Sequence, residues 1–332
     1  MSRTTTTRRR RLSLGAAASA ASLATVIALA GVAPSSTAAT PDRSDSHRKV
    51  DVEVLVITMF EPETAPWLRE ESLPLTVDVP GAYSPVRCDS QGLCVLTTGM
   101  GKSNAAATMS AVLDSPRFDF DDAYFLSAGI AGTPPDNGTL GFAAWARWVV
   151  DYDLGHHLLP EEAPDIPHAY QEFGGETTVF RLNDDLVDMA YDLTQDLELT
   201  DSAVSQEVRS HYPGQEGVEP YVAVCDTLTG DNYWSGAGQS ARADYITALR
   251  TDDQGDYCTT QMEDNATATT LERRGYLDRY LNLRTASNFD QPYPGQTVSE
   301  HLASDSGAFR PSLENAYLVG SVVVDHLLET TP

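Results

Sequence analysis

The chain has 332 residues, with 48 Asp and Glu against 22 Lys and Arg, a formal net charge of −26. A surface this negative repels phosphate backbones, which excludes nucleic-acid binding and disfavours anionic ligands unless a local pocket reverses the field. Beyond residue 39 no apolar run approaches the roughly 18 residues that cross a bilayer, so no membrane span is predicted there.

Residues 1–39 contain five arginines and no acidic residue, with an alanine-rich apolar run from about Ser13 to Ala33 followed by PSSTAA. A basic head, an apolar middle and a small-residue end predict a secretory leader, cleaved after Ala38 or Ala39. The Arg8–Arg11 cluster suits the twin-arginine route, and an ordinary signal peptide with extra positive charge accounts for it equally. A secreted, extracellular or cell-surface protein is therefore expected. Losing the leader takes the net charge from −26 to −31. Residues 40–48 read as a polar tether, and 49–330 as one domain, because no proline- or serine-rich linker divides them.

VEVLVIT (52–58), LCVLTT (93–98) and AYFLSAG (123–129) are continuous apolar runs of strand length, the pattern of strands buried on both faces. Between the second and third, SNAAATMSAVL (103–113) has helical composition, with Ser103 or Asn104 placed to cap it. DDLVDMAYDLTQDLEL (184–199) puts Leu186, Met189, Ala190, Leu193 and Leu197 on one helical face. VEPYVAVC (218–225) and YLNLRTAS (280–287) read as strands, and 311–328 as a helix capped by Ser312. This alternation predicts an α/β fold, a three-layer sandwich with a central mixed sheet flanked by helices, whose ligands bind beyond strand C-termini. Of the four cysteines, Cys88 and Cys94 bracket a turn-like spacer and suit a cross-strand disulfide. Cys225 and Cys258 would form the second pair. Zinc is the rival use, without a C-x-x-C or a well-spaced histidine to support it.

TTGMGKSNAA (97–106) contains Gly101-Lys102-Ser103, the ending of a triphosphate-binding loop. Such a loop needs a first glycine five residues earlier, and that position is Leu96. The glycines need another explanation. His156-His157 has no supporting ligand spacing, and no metal is expected.

ITMFEPE (57–63), TTGMGKSNAA, LSAGIAGT (126–133), QMEDNAT (261–267) and LRTASNFD (283–290) follow one another at strand ends. In that order they resemble the nucleoside phosphorylase and nucleosidase superfamily, in particular its purine nucleoside permease branch, over about residues 50–330. The resemblance implies a nucleoside phosphorylase-like fold and a nucleoside pocket, with Gly99, Gly101, Gly129 and Gly132 as turns beside the sugar or phosphate. It assigns Glu263, with Met262, to the ribose hydroxyls and Glu63 to the attacking water, with Arg284 supporting the nucleophile. By composition Glu61 is as good a carboxylate as Glu63. Tyr233 and Trp234 fall where the family stacks the base. Asn288 departs from the nucleosidase pattern, which has an aspartic acid there to protonate the purine; an amide donates a hydrogen bond but no acidic proton. Protonation would pass to Asp290, Asp231 or water.

The implied activity is cleavage of a nucleoside's N-glycosidic bond, by water to free ribose or by phosphate to ribose 1-phosphate. The retained Glu63, Glu263 and Arg284 and the negative charge favour water; Asn288 and the glycine turns favour phosphate. The alternatives are a soluble nucleoside-binding protein assisting uptake and a silent relative. No cofactor is expected beyond inorganic phosphate as the alternative co-substrate. The partner is a small-molecule nucleoside, with homo-oligomers known among such relatives.

Overall fold

In the computed structural model, residues 49–330 are described. The predicted leader and tether lie outside them. Strand β1 (Val54–Thr58) is wholly buried and pairs in parallel with β2 (Leu93–Thr97) on one side and β3 (Tyr124–Thr133) on the other. Helix α1 (Glu61–Glu70) joins β1 to β2, and α2 (Lys102–Leu113) joins β2 to β3. The chain reverses direction across the sheet between these two crossovers. Right-handed connections therefore put α1 and α2 on opposite faces.

The sheet continues through β4 (Ala143–Trp145), β5 (Trp148–Asp151), β6 (Asp226–Thr229), β7 (Tyr257–Gln261) and β8 (Tyr280–Phe289). Strands β5, β6 and β7 run parallel, and β7 meets β3 antiparallel where Thr260 faces Gly132. Strand β8 runs parallel to β3 along its length, from Tyr280 beside Phe125 to Phe289 beside Thr133, and antiparallel to β4. Among the described residues this is a twelve-stranded mixed sheet. Helices α3 (Asp184–Thr194), α4 (Ala237–Arg250), α5 (Asp264–Glu272) and α6 (Phe309–Thr330) complete the flanking layers. The predicted three-layer α/β sandwich is thus the observed architecture.

Four local expectations are corrected. Neither Ser103 nor Asn104 caps α2; the N-cap is Gly101 at φ 87°, and carboxylates from elsewhere in the chain take its place. Ser312 lies inside α6, fully buried, and its hydroxyl donates to the Ala286 carbonyl of β8 at 2.7 Å. Helix α3 ends at Thr194, leaving Leu193 38 % exposed, while Leu186 and Ala190 are buried as the periodicity predicts. Of the strand predicted over 218–225 only Val222–Val224 forms, and β6 starts beyond it at Asp226; the two join different neighbours. Both disulfides form in the expected pairing, Cys88–Cys94 and Cys225–Cys258.

Candidate active site

Glu63 sits in the first turn of α1, where a carboxylate meets the positive end of the helix. Glu61, one turn-start earlier, is exposed, whereas Glu63 is buried. The Glu63 carboxylate accepts from the Met59 N–H at 2.8 Å and, across the sheet, from the Ile130 N–H at 2.7 Å. Gly129 makes this crossing possible, because a Cβ there would stand 2.6 Å from Glu63 Oε1 and 2.9 Å from Arg284 Nη1. Burial pushes the Glu63 carboxyl up to about 7, against the lowering pull of Arg284 and the two N–H groups.

Glu263 is the N-cap residue of α5. Its backbone is fixed by Gln261, whose side-chain oxygen accepts from the N–H groups of Glu263 and Asp264 at 2.8 and 2.9 Å. The Gln261 amide donates in turn to Thr227 and Thr229 on β6. One Glu263 oxygen accepts from the Gly101 N–H at 2.8 Å; the other lies 3.3 Å from Arg284 Nη2. Burial raises this carboxyl too.

Arg284 on β8 is 1 % exposed. Its guanidinium grips both oxygens of Asp264, at 2.8 and 2.6 Å, and donates to the Ile130 carbonyl at 2.9 Å. One buried cation thus faces three carboxyls, Asp264, Glu263 and Glu63. Burying unpaired negative charge is costly, so the arrangement favours a proton on one of them, and Glu63, which has no direct ion-pair contact, is the one driven near neutrality. The residue that sequence reasoning missed is Asp264, Arg284's tightest partner. Its signal was the adjacent acid pair in QMED, of which only the first was assigned.

Glu63, Glu263 and Arg284 line a cavity of about 160 Å³ together with Met262, Asn288, Gly132 and Tyr233. The Asn288 amide donates to the Phe289 carbonyl and accepts from the Ser287 hydroxyl. Tyr233 is 64 % exposed on the rim, opposite Met100 at 59 %. Trp234 instead lines a smaller adjoining recess and stacks on Tyr152 with centroids 5.1 Å apart. Asp290 is not among the cavity residues. It is fully buried, accepts from the Tyr257 hydroxyl at 2.9 Å, and is pushed up to about 6 by burial. Asp231 caps α2 by accepting from the Lys102 N–H at 2.8 Å. Gly99 (φ 83°) is packed under the Tyr83 ring, outside the cavity lining. His156 and His157 lie exposed on a separate hairpin strand.

The family model for purine nucleoside permeases matches residues 51–331. A probable purine nucleoside permease of Schizosaccharomyces pombe is 31 % identical, covering 92 % of this chain and 96 % of its own length. A purine nucleoside permease of Candida albicans is 32 % identical over 82 % of this chain and 74 % of its own. Among solved structures, the fold is similar to a Helicobacter pylori 5′-methylthioadenosine/S-adenosylhomocysteine nucleosidase (TM-score 0.57, 14 % identity, 84 % of this chain and 100 % of that one). It is likewise similar to futalosine hydrolase of the same organism (TM-score 0.56, 15 % identity, 83 % and 98 %).

Proposed function

Since the chain belongs to the purine nucleoside permease family, we propose that it binds a nucleoside in this cavity and hydrolyses its N-glycosidic bond, and that it works outside the cytoplasm after export by its leader. The observation that carries the reading is a buried carboxyl held near pH 7 beside a second carboxylate and a neutralised arginine. Breaking the bond between base and C1′ develops positive charge on the ribose ring. Glu263, accepting from the ribose hydroxyls, would bind that ring more tightly as its charge grows. Glu63 in its ionised form would take a proton from the water that attacks C1′. Tyr233 would offer an aromatic face to the base. Asn288 would donate one hydrogen bond to it, so the base departs without an acidic group of the protein to protonate it.

Water is favoured over phosphate by the way the cationic and N–H groups are spent. The Arg284 guanidinium is taken up by Asp264, Glu263 and the Ile130 carbonyl. The N–H groups of Gly101 and Lys102, which a helix N-terminus would otherwise present to an anion, are taken by Glu263 and Asp231. A phosphate dianion would meet carboxylates where it needs donors. The names of the relatives favour a second reading, binding for nucleoside uptake. Among the described residues no helix is long and apolar enough to cross a membrane. On that reading the chain delivers its nucleoside to another component.

Incubating the protein with inosine, adenosine, guanosine and uridine, with and without phosphate, distinguishes these. Free base and ribose without phosphate are expected. Ribose 1-phosphate formed only with phosphate would overturn hydrolysis, and binding without turnover would leave the uptake reading.

A further inference from the structure

Lys102, the lysine of the GKS fragment, is left without a role by the chemistry above. Its ammonium is directed away from the cavity carboxylates, to Asp151 Oδ1 at 2.6 Å and Asp153 Oδ2 at 2.7 Å. Asp151 is the last residue of β5 and is nearly fully buried; its other oxygen accepts from the Leu154 N–H at 2.7 Å. Asp153 Oδ2 also accepts from the Asp231 N–H at 2.9 Å, and Asp231 Oδ1 accepts from the Lys102 N–H at 2.8 Å. The result is a closed ring, Lys102 ammonium to Asp153, Asp153 to Asp231 backbone, Asp231 carboxylate to Lys102 backbone. It ties together the ends of β2, β5 and β6.

Two of those segments carry the rim of the cavity. Met100 lies two residues before Lys102, and Tyr233 two residues after Asp231; both line the cavity while more than half exposed. Both side chains sit on loops rather than within a helix or strand. Both stand at the mouth of a cavity of about 160 Å³, and the ring anchored on the buried Asp151 links the two loops that carry them.

We propose that Lys102 is a positioning residue for nucleoside binding: its salt bridges to Asp151 and Asp153 hold Met100 and Tyr233 at the spacing that grips the ligand. The inference rests on the proposal that this cavity is the nucleoside site, but not on whether cleavage follows. Because Lys102 does not touch the reacting groups, its loss falls on affinity and not on the chemical step.

The test uses the whole protein and the C-nucleoside formycin B, whose carbon–carbon link to the ribose is not hydrolysed, alongside steady-state cleavage of inosine. Lys102→Met is expected to raise the dissociation constant for formycin B at least tenfold and the KM for inosine in parallel, with kcat within about threefold. Lys102→Arg, which keeps the charge, should recover most of the affinity. Asp153→Asn, an isosteric change on the more exposed side of the ring, should weaken binding in the same direction and decides the matter if Lys102→Met does not fold. Unchanged affinity in a folded Lys102→Met, or a fall in kcat with affinity intact, would overturn the proposal. A wild-type protein that binds formycin B without cleaving inosine removes hydrolysis alone, and the comparison of affinities still decides the role of Lys102. Failure of the wild type to bind formycin B or inosine removes both.

Discussion

Glu63 carries two opposing demands, burial that keeps it protonated and the proposed role as a base that needs it ionised. With its carboxyl pushed up to about 7, kcat/KM for a nucleoside should rise with pH through about 7 and level off above it, the direction expected of a base. A pH profile that is flat from 5 to 9 would dismiss Glu63 as the base. Glu63→Gln should lower kcat by about 10²- to 10⁴-fold while leaving nucleoside binding largely intact, measured by steady-state kinetics and formycin B affinity. Glu263→Ala should abolish turnover, and near-normal activity would refute its place at the ribose. The order of motifs picked out Glu63 over Glu61, which composition alone could not; what separates them physically is that one points into the sheet and the other to solvent. Asp290 reads from the sequence as an available acid because nothing in it reveals that Tyr257, on a different strand, has enclosed its carboxyl.

At the scale of elements, the site exists because β3 carries no side chain at Gly129. Gly129→Ala would drive a methyl group to within 3 Å of both Glu63 and Arg284. It should cost at least tenfold in kcat, and a variant with full activity would show that the strand shifts freely to absorb the methyl. The helix starts were the least legible elements. Local spacing offers Ser103 or Asn104 as a cap for α2, yet the groups that satisfy its first N–H groups come from Glu263 and Asp231, 162 and 129 residues onward. Hydrophobic runs and their periodicity revealed the strands and helices because those follow from burial of neighbouring residues. Caps supplied across the fold leave no local trace. Ser312 shows the same effect: it looks like a cap and is a buried link between α6 and β8. Ser312→Ala should therefore destabilise the fold by about 0.5–1.5 kcal/mol, through loss of one buried hydrogen bond whose acceptor keeps the Gly141 N–H, rather than by fraying a helix end; denaturant unfolding measures it.

At the scale of the whole molecule, burial holds several carboxyls among the described residues above their ordinary range, including Glu263, Glu63 at about 7, and Asp226 and Asp290 at about 6. In the unfolded chain these groups lose their protons nearer pH 4, so between about pH 4 and 7 the folded state holds more protons than the unfolded one. Stability must then fall as pH rises through that window, by about 3 kcal/mol for Glu63 alone. Self-repulsion from the net charge of −26 acts in the same direction. The melting temperature should be higher at pH 5 than at pH 8 by calorimetry, and the opposite order would overturn this proton balance. The family resemblance made the fold readable, but this proton balance was not, since it depends on which acids the packing encloses.

The Cys225–Cys258 disulfide joins the starts of β6 and β7, whose far ends lead to Asp231 and Glu263. Cys258 is wholly buried and Cys225 nearly so. Neither sulfur would be within reach of an oxidant or an exchange catalyst once the domain has closed around it. The bond must be made while the chain is still open, so timing, and not only compartment, decides whether it forms.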